Sequence, residues 1–338
     1  MAPLRSLGNP DISPFDDVFA ATGKRYNHYG IPTSDGNPAL TGWYGDRAIA
    51  GGGWKLPATT NTNEIDYRDI TSTGNASDFG NLIQSSRGRA AASNGTRCLW
   101  MGGRTSVPGP DTGCEYVTIS STGNGTDFGD LVSPLAGGYA SATSDGTRGY
   151  CLGGQPDSVD IQYFTFTSTG NGTDFGDMTE ARSGQDSASY GSRGIVGGSQ
   201  NAASSTIGYF TMGTSGNASS FGNLSSGRGY LGCLSDKHGR AVWAGGGDAP
   251  SSPFSDTMEY VNMMVEMNAN DFGDLPASRG QLDGNGAHNA TRGLWMGGRD
   301  GPNSTNDIQY ITVQTTGNSS EFGDLVSAKG FIGATSGD

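Results

Sequence analysis

One short sequence recurs six times along this chain and constrains its fold more than any other feature. Each copy is a phenylalanine followed by Gly, by Asn or Asp, and by Leu or Met; the copies begin at Phe79, Phe128, Phe175, Phe221, Phe272 and Phe322. Successive copies are 49, 47, 46, 51 and 50 residues apart. A period of about 50 residues is typical of a propeller blade rather than of a helical repeat. The chain is therefore predicted to repeat one small sheet six times.

Each unit contains four short segments that predict strands. A run of small residues such as 89–92 is followed by a dipeptide such as Asn94-Gly95, which accepts the positive φ of a tight hairpin turn. An apolar run then ends at a pair of glycines, and a third strand follows a loop of variable length. This third strand carries one tyrosine per unit: Tyr67, Tyr116, Tyr163, Tyr209, Tyr260 and Tyr310. Because 58 of the 338 residues are glycine and no long window has a helical apolar period, helices are disfavoured.

The two ends of the repeat region complement each other. Residues 329–338 resemble a first strand with no second strand behind it, whereas residues 44–53 resemble a second strand with no first strand before it. Their pairing would close six four-stranded antiparallel blades into a ring and remove the open sheet edge. We therefore predict an all-β, six-bladed propeller over residues 41–338, with its last blade closed by N-terminal strands, and an irregular, proline-rich N-terminal arm over residues 1–40.

The order of a small-residue strand, a turn, an apolar strand with two glycines, a tyrosine strand and an aromatic corner resembles the kelch motif. Phenylalanine stands where the kelch family usually has tryptophan. Two units have Leu135 and Lys329 at the place where this family usually has an arginine before the first strand; the other units have Arg87, Arg182, Arg228 and Arg279. The repeat sequence Ser-Thr-Gly-Asn-x-Thr-Asp-Phe-Gly-Asp-Leu is also similar to repeats in kelch-like structural proteins of marine tailed phages, notably cyanophages. These resemblances imply a kelch-like propeller with a structural role in a phage virion.

The charge and hydropathy of the chain limit its partners. The net charge is −13, from 20 basic and 33 acidic residues, and Lys and Arg form no run. Such a chain is a poor partner for nucleic acid, and its field repels an anionic membrane surface. No apolar run reaches the roughly 18 residues of a membrane span, and the N-terminus lacks the apolar stretch of a signal peptide. We expect no nucleic-acid binding, no membrane insertion and no export by a cleaved leader.

The sequence lacks the patterns of known catalytic and metal sites. Three histidines at scattered places do not support a multi-His centre. No CxxC spacing occurs, which predicts buried free thiols for the four cysteines Cys98, Cys114, Cys151 and Cys233. Some kelch propellers, such as galactose oxidase, are copper enzymes with a crosslinked Cys and Tyr, and Cys114 and Tyr116 are neighbours here. The six-fold recurrence of the tyrosine favours a core role instead, so we expect no catalytic residue, no metal site and no cofactor.

The loop between the glycine pair and the tyrosine is the variable part of each unit. From the second glycine to the tyrosine, the separations are 15, 13, 9, 11, 14 and 12 residues. Length variation on a regular scaffold marks where a propeller places its contacts. Trp100, Trp243 and Trp295 precede glycine pairs and are predicted to pack between blades, whereas Trp54 falls outside that repeat position. The candidate ligand-binding residues are Trp54, Arg104, Asp157, Asp248 and Arg299.

The N-terminal arm contains five prolines and an apolar patch with Phe15, Val18 and Phe19. We interpret residues 1–40 as a segment that docks on other virion proteins through these three side chains; a strap across the propeller or a frayed terminus is the alternative. The leading functional hypothesis is a non-catalytic structural protein of a phage virion, a knob, fibre or decoration subunit whose propeller serves particle assembly or host-surface contact. The alternatives are a carbohydrate-binding or host-recognition module for host surface glycans, an enzyme of the galactose-oxidase or glycosidase kind, and a cellular kelch scaffold.

Overall fold

Six four-stranded antiparallel sheets are arranged as the blades of a propeller. The computed structural model describes residues 25–26, 32–33, 45–106, 111–132, 138–200, 203–247, 253–282, 284 and 286–338. These residues form strands, turns and loops and contain no α-helix. The predicted all-β fold with six blades of four strands is confirmed.

The first half of the ring consists of blades 1 to 3, whose strands are numbered in chain order. Blade 1 contains β3 (Arg47–Gly51), β6 (Glu64–Asp69), β7 (Ser77–Asn81) and β30 (Gly333–Gly337). Blade 2 contains β8 (Ala90–Ser93), β9 (Arg97–Met101), β10 (Gly113–Thr118) and β11 (Thr126–Asp130). Blade 3 contains β12 (Ser141–Ser144), β13 (Arg148–Leu152), β14 (Ser158–Thr165) and β15 (Thr173–Arg182).

The second half of the ring repeats this arrangement. Blade 4 contains β16 (Asp186–Tyr190), β17 (Arg193–Gly197), β18 (Thr206–Thr211) and β19 (Ser219–Asn223). Blade 5 contains β20 (Gly232–Ser235), β21 (Arg240–Ala244), β22 (Thr257–Asn262) and β23 (Asn270–Asp274). Blade 6 contains β24 (Ala287–His288), β25 (Arg292–Met296), β28 (Asp307–Thr312) and β29 (Ser320–Asp324). Three two-residue pairs complete the set: β1 (Arg25–Tyr26) with β2 (Pro32–Thr33), β4 (Trp54–Lys55) with β5 (Thr60–Asn61), and β26 (Arg299–Asp300) with β27 (Asn303–Ser304).

The innermost strands meet around the propeller axis. Strands β30, β8, β12, β16, β20 and β24 contact one another in this order, and β24 returns to β30. Their side chains are mostly Ala, Ser, Thr and Cys because six strands converge there and leave little space. The ring is closed by β30, which pairs with β3 from Arg47 opposite Gly337 to Gly51 opposite Gly333. The predicted pairing of the two ends of the repeat region is therefore confirmed.

The blades pack face to face through apolar side chains. Trp100, Trp243 and Trp295 are fully buried, as predicted, and the Trp100 Nε1 donates to the Gly333 carbonyl of the preceding blade at 2.9 Å. All four cysteines are buried and unbridged, which confirms the thiol prediction. Burial raises the pKa of the Cys151 thiol to about 12, so this side chain acts as a small hydrophobe rather than a nucleophile.

The recurring Gly-Asn turn joins neighbouring blades at the outer rim. Between blades 3 and 4, the Gly216 N–H donates to the Phe175 carbonyl at 2.9 Å, and the Asn217 Oδ1 accepts from the Asp177 N–H at 3.0 Å. We call this contact the Asn latch. Its Asn hydrogen bond occurs at every junction, with Asn75, Asn124, Asn171, Asn217, Asn268 and Asn318, although Met267 replaces the glycine before Asn268. The latch caps each outermost strand, which would otherwise be an open sheet edge.

The latch also explains the glycine of the Phe-Gly corner. Gly176 has a φ of 147°, and a Cβ at this position would collide with the Gly216 carbonyl of the next blade. The backbone of one blade therefore lies against the turn of the next, and only glycine leaves the space for it.

An Arg-Tyr-Phe stack provides a second repeated contact. In blade 4, the Arg193 guanidinium lies 4.3 Å from the ring centroid of Tyr209, whose ring lies edge-on to Phe221 at 6.1 Å. The Arg193 Nη1 also donates to the Met263 carbonyl of blade 5 at 2.9 Å. Equivalent arginines in all six blades are Arg47, Arg97, Arg148, Arg193, Arg240 and Arg292. The recurring tyrosine is thus held between a cation and the corner phenylalanine, as a core role requires.

Candidate functional site

The variable loops gather at one end of the propeller, which we call the loop face. Each of these loops follows the second strand of its blade and lies beside the segment that enters an innermost strand. Antiparallel bridges link the two at four places: Trp54 with Gly330, Arg87 with Arg104, Gly229 with Gly247, and Gly280 with Arg299. The loop face therefore combines loops that differ in length with a rigid backbone frame.

Three aromatic rings close the propeller axis at the loop face. Tyr139, Tyr230 and Phe331 enter their innermost strands with φ values of 60°, 57° and 55°, a conformation that costs a non-glycine residue about 1–2 kcal/mol. Their centroids are 4.8 to 5.8 Å apart, and the rings meet edge to face. We call them the axial plug. They alternate around the ring with Gly88, Gly184 and the long side chain of Gln281, because six large side chains do not fit on one axis.

Below the plug, the innermost strands enclose a small cavity of about 40 Å³. Small and polar side chains line most of it, among them Ser187, Ser189 and His288. A cavity of this size has room for a few water molecules and not for a metabolite. A ligand that approaches the loop face therefore meets a closed surface and not an open channel.

A buried cation lies under most of the loops and is paired with an acid. Arg228 lies 2.8 Å from Glu259, and Lys329 lies 3.2 Å from Asp66. The kelch resemblance placed Arg87 in this set, and the structure corrects it: Arg89 forms the pair in blade 2, 3.0 Å from Glu115. Burial lowers the pKa of Lys329 and raises that of Asp66, and the attraction between the two groups opposes both shifts. These pairs hold the loops in place and leave their cations no free charge for a ligand.

Arg87, displaced from that buried role, lies on the loop face. Its guanidinium carbon is 3.8 Å from the ring centroid of Trp54. Its Nε donates to the Tyr139 hydroxyl at 3.1 Å, and its Nη1 donates to the Asn61 Oδ1 at 3.1 Å. Trp54 and Arg87 are both half-buried, so each still presents part of its surface to solvent.

Arg104 lies directly opposite Arg87. The two backbones exchange hydrogen bonds of 3.1 and 2.8 Å, and the Asn61 Nδ2 donates to the Arg104 carbonyl at 2.9 Å. The Arg104 side chain is exposed, and its Nη1 donates to the Gln155 Oε1 at 3.2 Å. We call Trp54, Asn61, Arg87, Arg104 and Gln155 the arginine patch. It spans the loops of blades 1, 2 and 3.

Asp157 and Arg299 also lie on the loop face, each in its own groove. The Asp157 carboxylate accepts a hydrogen bond from the Ser183 hydroxyl, and Asp157 lines a groove of about 470 Å³ with Gln200. The guanidinium of Arg299 lies 6.0 Å from the ring centroid of Phe254, in a groove of about 590 Å³ between blades 5 and 6. Of the four predicted ligand residues that the structure describes, Trp54 and Arg104 belong to one network and Asp157 and Arg299 lie apart from it. Asp248 lies outside the described residues, as do Phe15, Val18 and Phe19 of the arm.

The sequence alone does not reveal Arg87, Asn61 and Gln155 as parts of a site. Arg87 precedes a first strand, where the kelch pattern has a structural arginine. In the structure, Arg89, two residues later, forms the buried ion pair instead. Asn61 and Gln155 lie in loops with no repeat partner to compare. The Arg-Gly-Arg sequence at 87–89 could have indicated a surface arginine. Each blade has room for one buried cation, so one of these two arginines has to lie elsewhere.

Comparison with known proteins shows the fold and nothing finer. No family model matches the chain, and no curated protein matches it. A solved structure of YjhT has a similar fold, with a TM-score of 0.64 and 11% sequence identity over 83% of this chain and 95% of that chain. This similarity supports the six-bladed β-propeller; at such identity it does not extend to a shared activity.

Metal-ligating clusters and membrane-spanning helices are both absent from the described part of the chain. It contains no group of three or more His, Cys, Asp or Glu side chains placed to hold a metal ion. Within the same residues, no helix is both long and apolar enough to cross a membrane.

Proposed function

We propose that this protein is a structural component of a phage virion and that its loop face binds a carbohydrate of the host surface. The observation that supports binding is the arginine patch, where amide and guanidinium groups surround a partly buried indole ring. Planar amide and guanidinium groups suit the donors and acceptors of sugar hydroxyls, and the indole offers an apolar surface to a sugar ring. The virion role is supported by the similarity of the repeats to phage structural proteins.

The shape of the loop face favours an extended ligand over a small engulfed one. The axial plug closes the centre of the face, and the arginine patch lies on the loops around it. Small-molecule sites usually enclose most of their ligand in a concave pocket. A polysaccharide chain presented by a cell surface needs no such enclosure, because it is bound along one side.

Substitution Trp54→Ala is expected to weaken carbohydrate binding about 30-fold, since loss of a central aromatic anchor costs about 2 kcal/mol. Binding is measured on an array of bacterial surface polysaccharides and defined glycans. Arg104→Ala, at an exposed site, provides a second variant that keeps the fold. Lys237→Gln, in a turn at the opposite end of blade 5, is the matched control. Absence of binding to every array member by the unmodified chain would contradict the proposal.

Removal of residues 1–40 is expected to abolish incorporation into virions while leaving the propeller folded, if the arm docks on other virion proteins. Quantitative mass spectrometry of purified particles measures the incorporation, with the full chain as reference. The triple substitution of Phe15, Val18 and Phe19 by Ser is the finer variant. Unchanged incorporation of both variants would show that this arm is not the docking segment.

A further inference from the structure

The arginine patch contains two cationic side chains on neighbouring backbone segments. Arg87 and Arg104 are directly opposed in an antiparallel bridge, and their backbones exchange both hydrogen bonds. Side chains of directly opposed residues leave the same face of a ladder with their Cβ atoms about 4.5–5.5 Å apart, and like charges in this arrangement are destabilising. Departures from local consistency are expected at functional or strained sites, which makes this pair a candidate binding site.

The described residues do not supply the missing negative charge. None of their carboxylates forms an ion pair with Arg87 or Arg104; the side-chain partners of these arginines are an amide, a hydroxyl and the indole of Trp54. The nearby carboxylates of Asp111 and Glu115 are taken by the buried Arg89. The arginine patch therefore carries two positive charges in a chain with 33 acidic and 20 basic residues.

We infer that the arginine patch is the subsite for the anionic group, a carboxylate or a sulfate, of an acidic saccharide. This inference rests on the proposed function, because it names the ligand class of the same site. The guanidinium fork matches a planar carboxylate or a sulfate through paired hydrogen bonds. The Trp54 ring also holds the Arg87 guanidinium in one orientation, and the Asn61 amide bonds both the Arg87 guanidinium and the Arg104 backbone carbonyl.

The test compares saccharides that differ only in charge. The probes are polygalacturonate with its methyl ester and dextran sulfate with dextran, each measured at low and at physiological salt. We expect at least one acidic member to bind about 10-fold or more tightly than its neutral partner, and its affinity to fall as salt rises. Comparison of the two pairs distinguishes a carboxylate from a sulfate.

Arg104→Gln is the decisive variant because it removes one charge at an exposed site and keeps an amide. It is expected to reduce binding of the acidic member about 10-fold or more and, in the absence of ligand, to raise the Tm by about 1–2 °C as the repulsion disappears. Arg87→Gln should show the same loss of binding. Lys237→Gln removes the same charge from the opposite end of blade 5 and should change neither the preference nor the Tm.

The outcomes separate this inference from the proposed function. Equal binding of acidic and neutral partners, or an acidic preference that persists in both Arg104→Gln and Arg87→Gln, overturns the inference. If only neutral saccharides bind and Trp54→Ala abolishes that binding, the inference fails and the proposed function stands. If neither these probes nor any other glycan binds, both fail.

Discussion

A chain that lacks residues 329–338 is expected to lose its cooperative fold. The deletion removes β30 and leaves β3 as an open edge beside the axis. It also removes Lys329, so that the buried Asp66 loses its cation, a change that costs about 3–5 kcal/mol. Loss of the buried Phe331 and Ile332 adds about 1.5–3 kcal/mol each. The sum is comparable to the total stability of about 5–15 kcal/mol of a typical protein.

The measurement is thermal unfolding followed by circular dichroism, together with size-exclusion chromatography. A permuted chain provides the control: residues 329–338 are placed directly before Asp46, whose N–H already donates to the Asp338 carboxylate at 3.0 Å. This chain should fold, because it gives blade 1 the same hairpin that other blades have. A truncated chain that unfolds cooperatively at the Tm of the full chain would contradict the role assigned to β30.

Substitution Arg228→Met is expected to destabilise the propeller by about 3–5 kcal/mol at neutral pH, because it leaves the Glu259 carboxylate buried without a cation. Burial lowers the pKa of Arg228, and the neighbouring Glu259 opposes this shift, so the native pair stays charged. The variant keeps the hydrogen bond from the Ser225 N–H to Glu259 and loses the cation that balances this carboxylate.

Blade 3 suggests the matched control for this substitution. At the place of Glu259 it has Gln162, whose Oε1 accepts from the Val132 N–H at 2.8 Å, just as the Glu259 Oε1 accepts from the Ser225 N–H at 2.9 Å. No cation pairs with Gln162 among the described residues. Arg228→Met combined with Glu259→Gln should therefore recover most of the stability. Equal destabilisation in the single and double variants, measured by urea unfolding, would contradict this account.

The sequence predicts the architecture because the architecture is periodic. Six copies of the Phe corner, the glycine pair and the tyrosine define the strand order within a blade, and the incomplete unit at each end predicts the closure between β3 and β30. Burial of Trp100, Trp243 and Trp295 follows from their shared position before a glycine pair. In each case the signal is a repeated residue in a repeated environment.

Contacts between blades are harder to predict because they join residues about 40 or more positions apart. The Asn of the Gly-Asn turn recurs in the sequence without any sign of its partner, whereas in the structure its Oδ1 accepts a hydrogen bond from the preceding blade. The arginine that begins each second strand has no partner that the sequence reveals, although it recurs six times. Periodicity shows that a position matters without showing which residue lies against it.

The arginine patch is only half predictable for a different reason. Trp54 and Arg104 are candidates because they lie in variable loops. These loops do not repeat between blades, so the residues that contact them cannot be inferred from the other units. Arg87 follows the kelch pattern in sequence, and only the packing shows that Arg89 takes the buried place beside Glu115. An offset of two residues thus separates a structural cation from a surface one.

The Asn latch has a consequence for how this protein can diversify. Every latch lies on the outer rim, and the buried ion pairs lie under the loops. The contacts that hold the blades together are therefore separate from the loops themselves. Insertions, deletions and new side chains in those loops are expected to leave the ring intact, whereas loss of a whole unit would break the two latches that join it to its neighbours. Variants adapted to different targets should therefore differ in loop length and loop sequence while keeping the same six-unit frame.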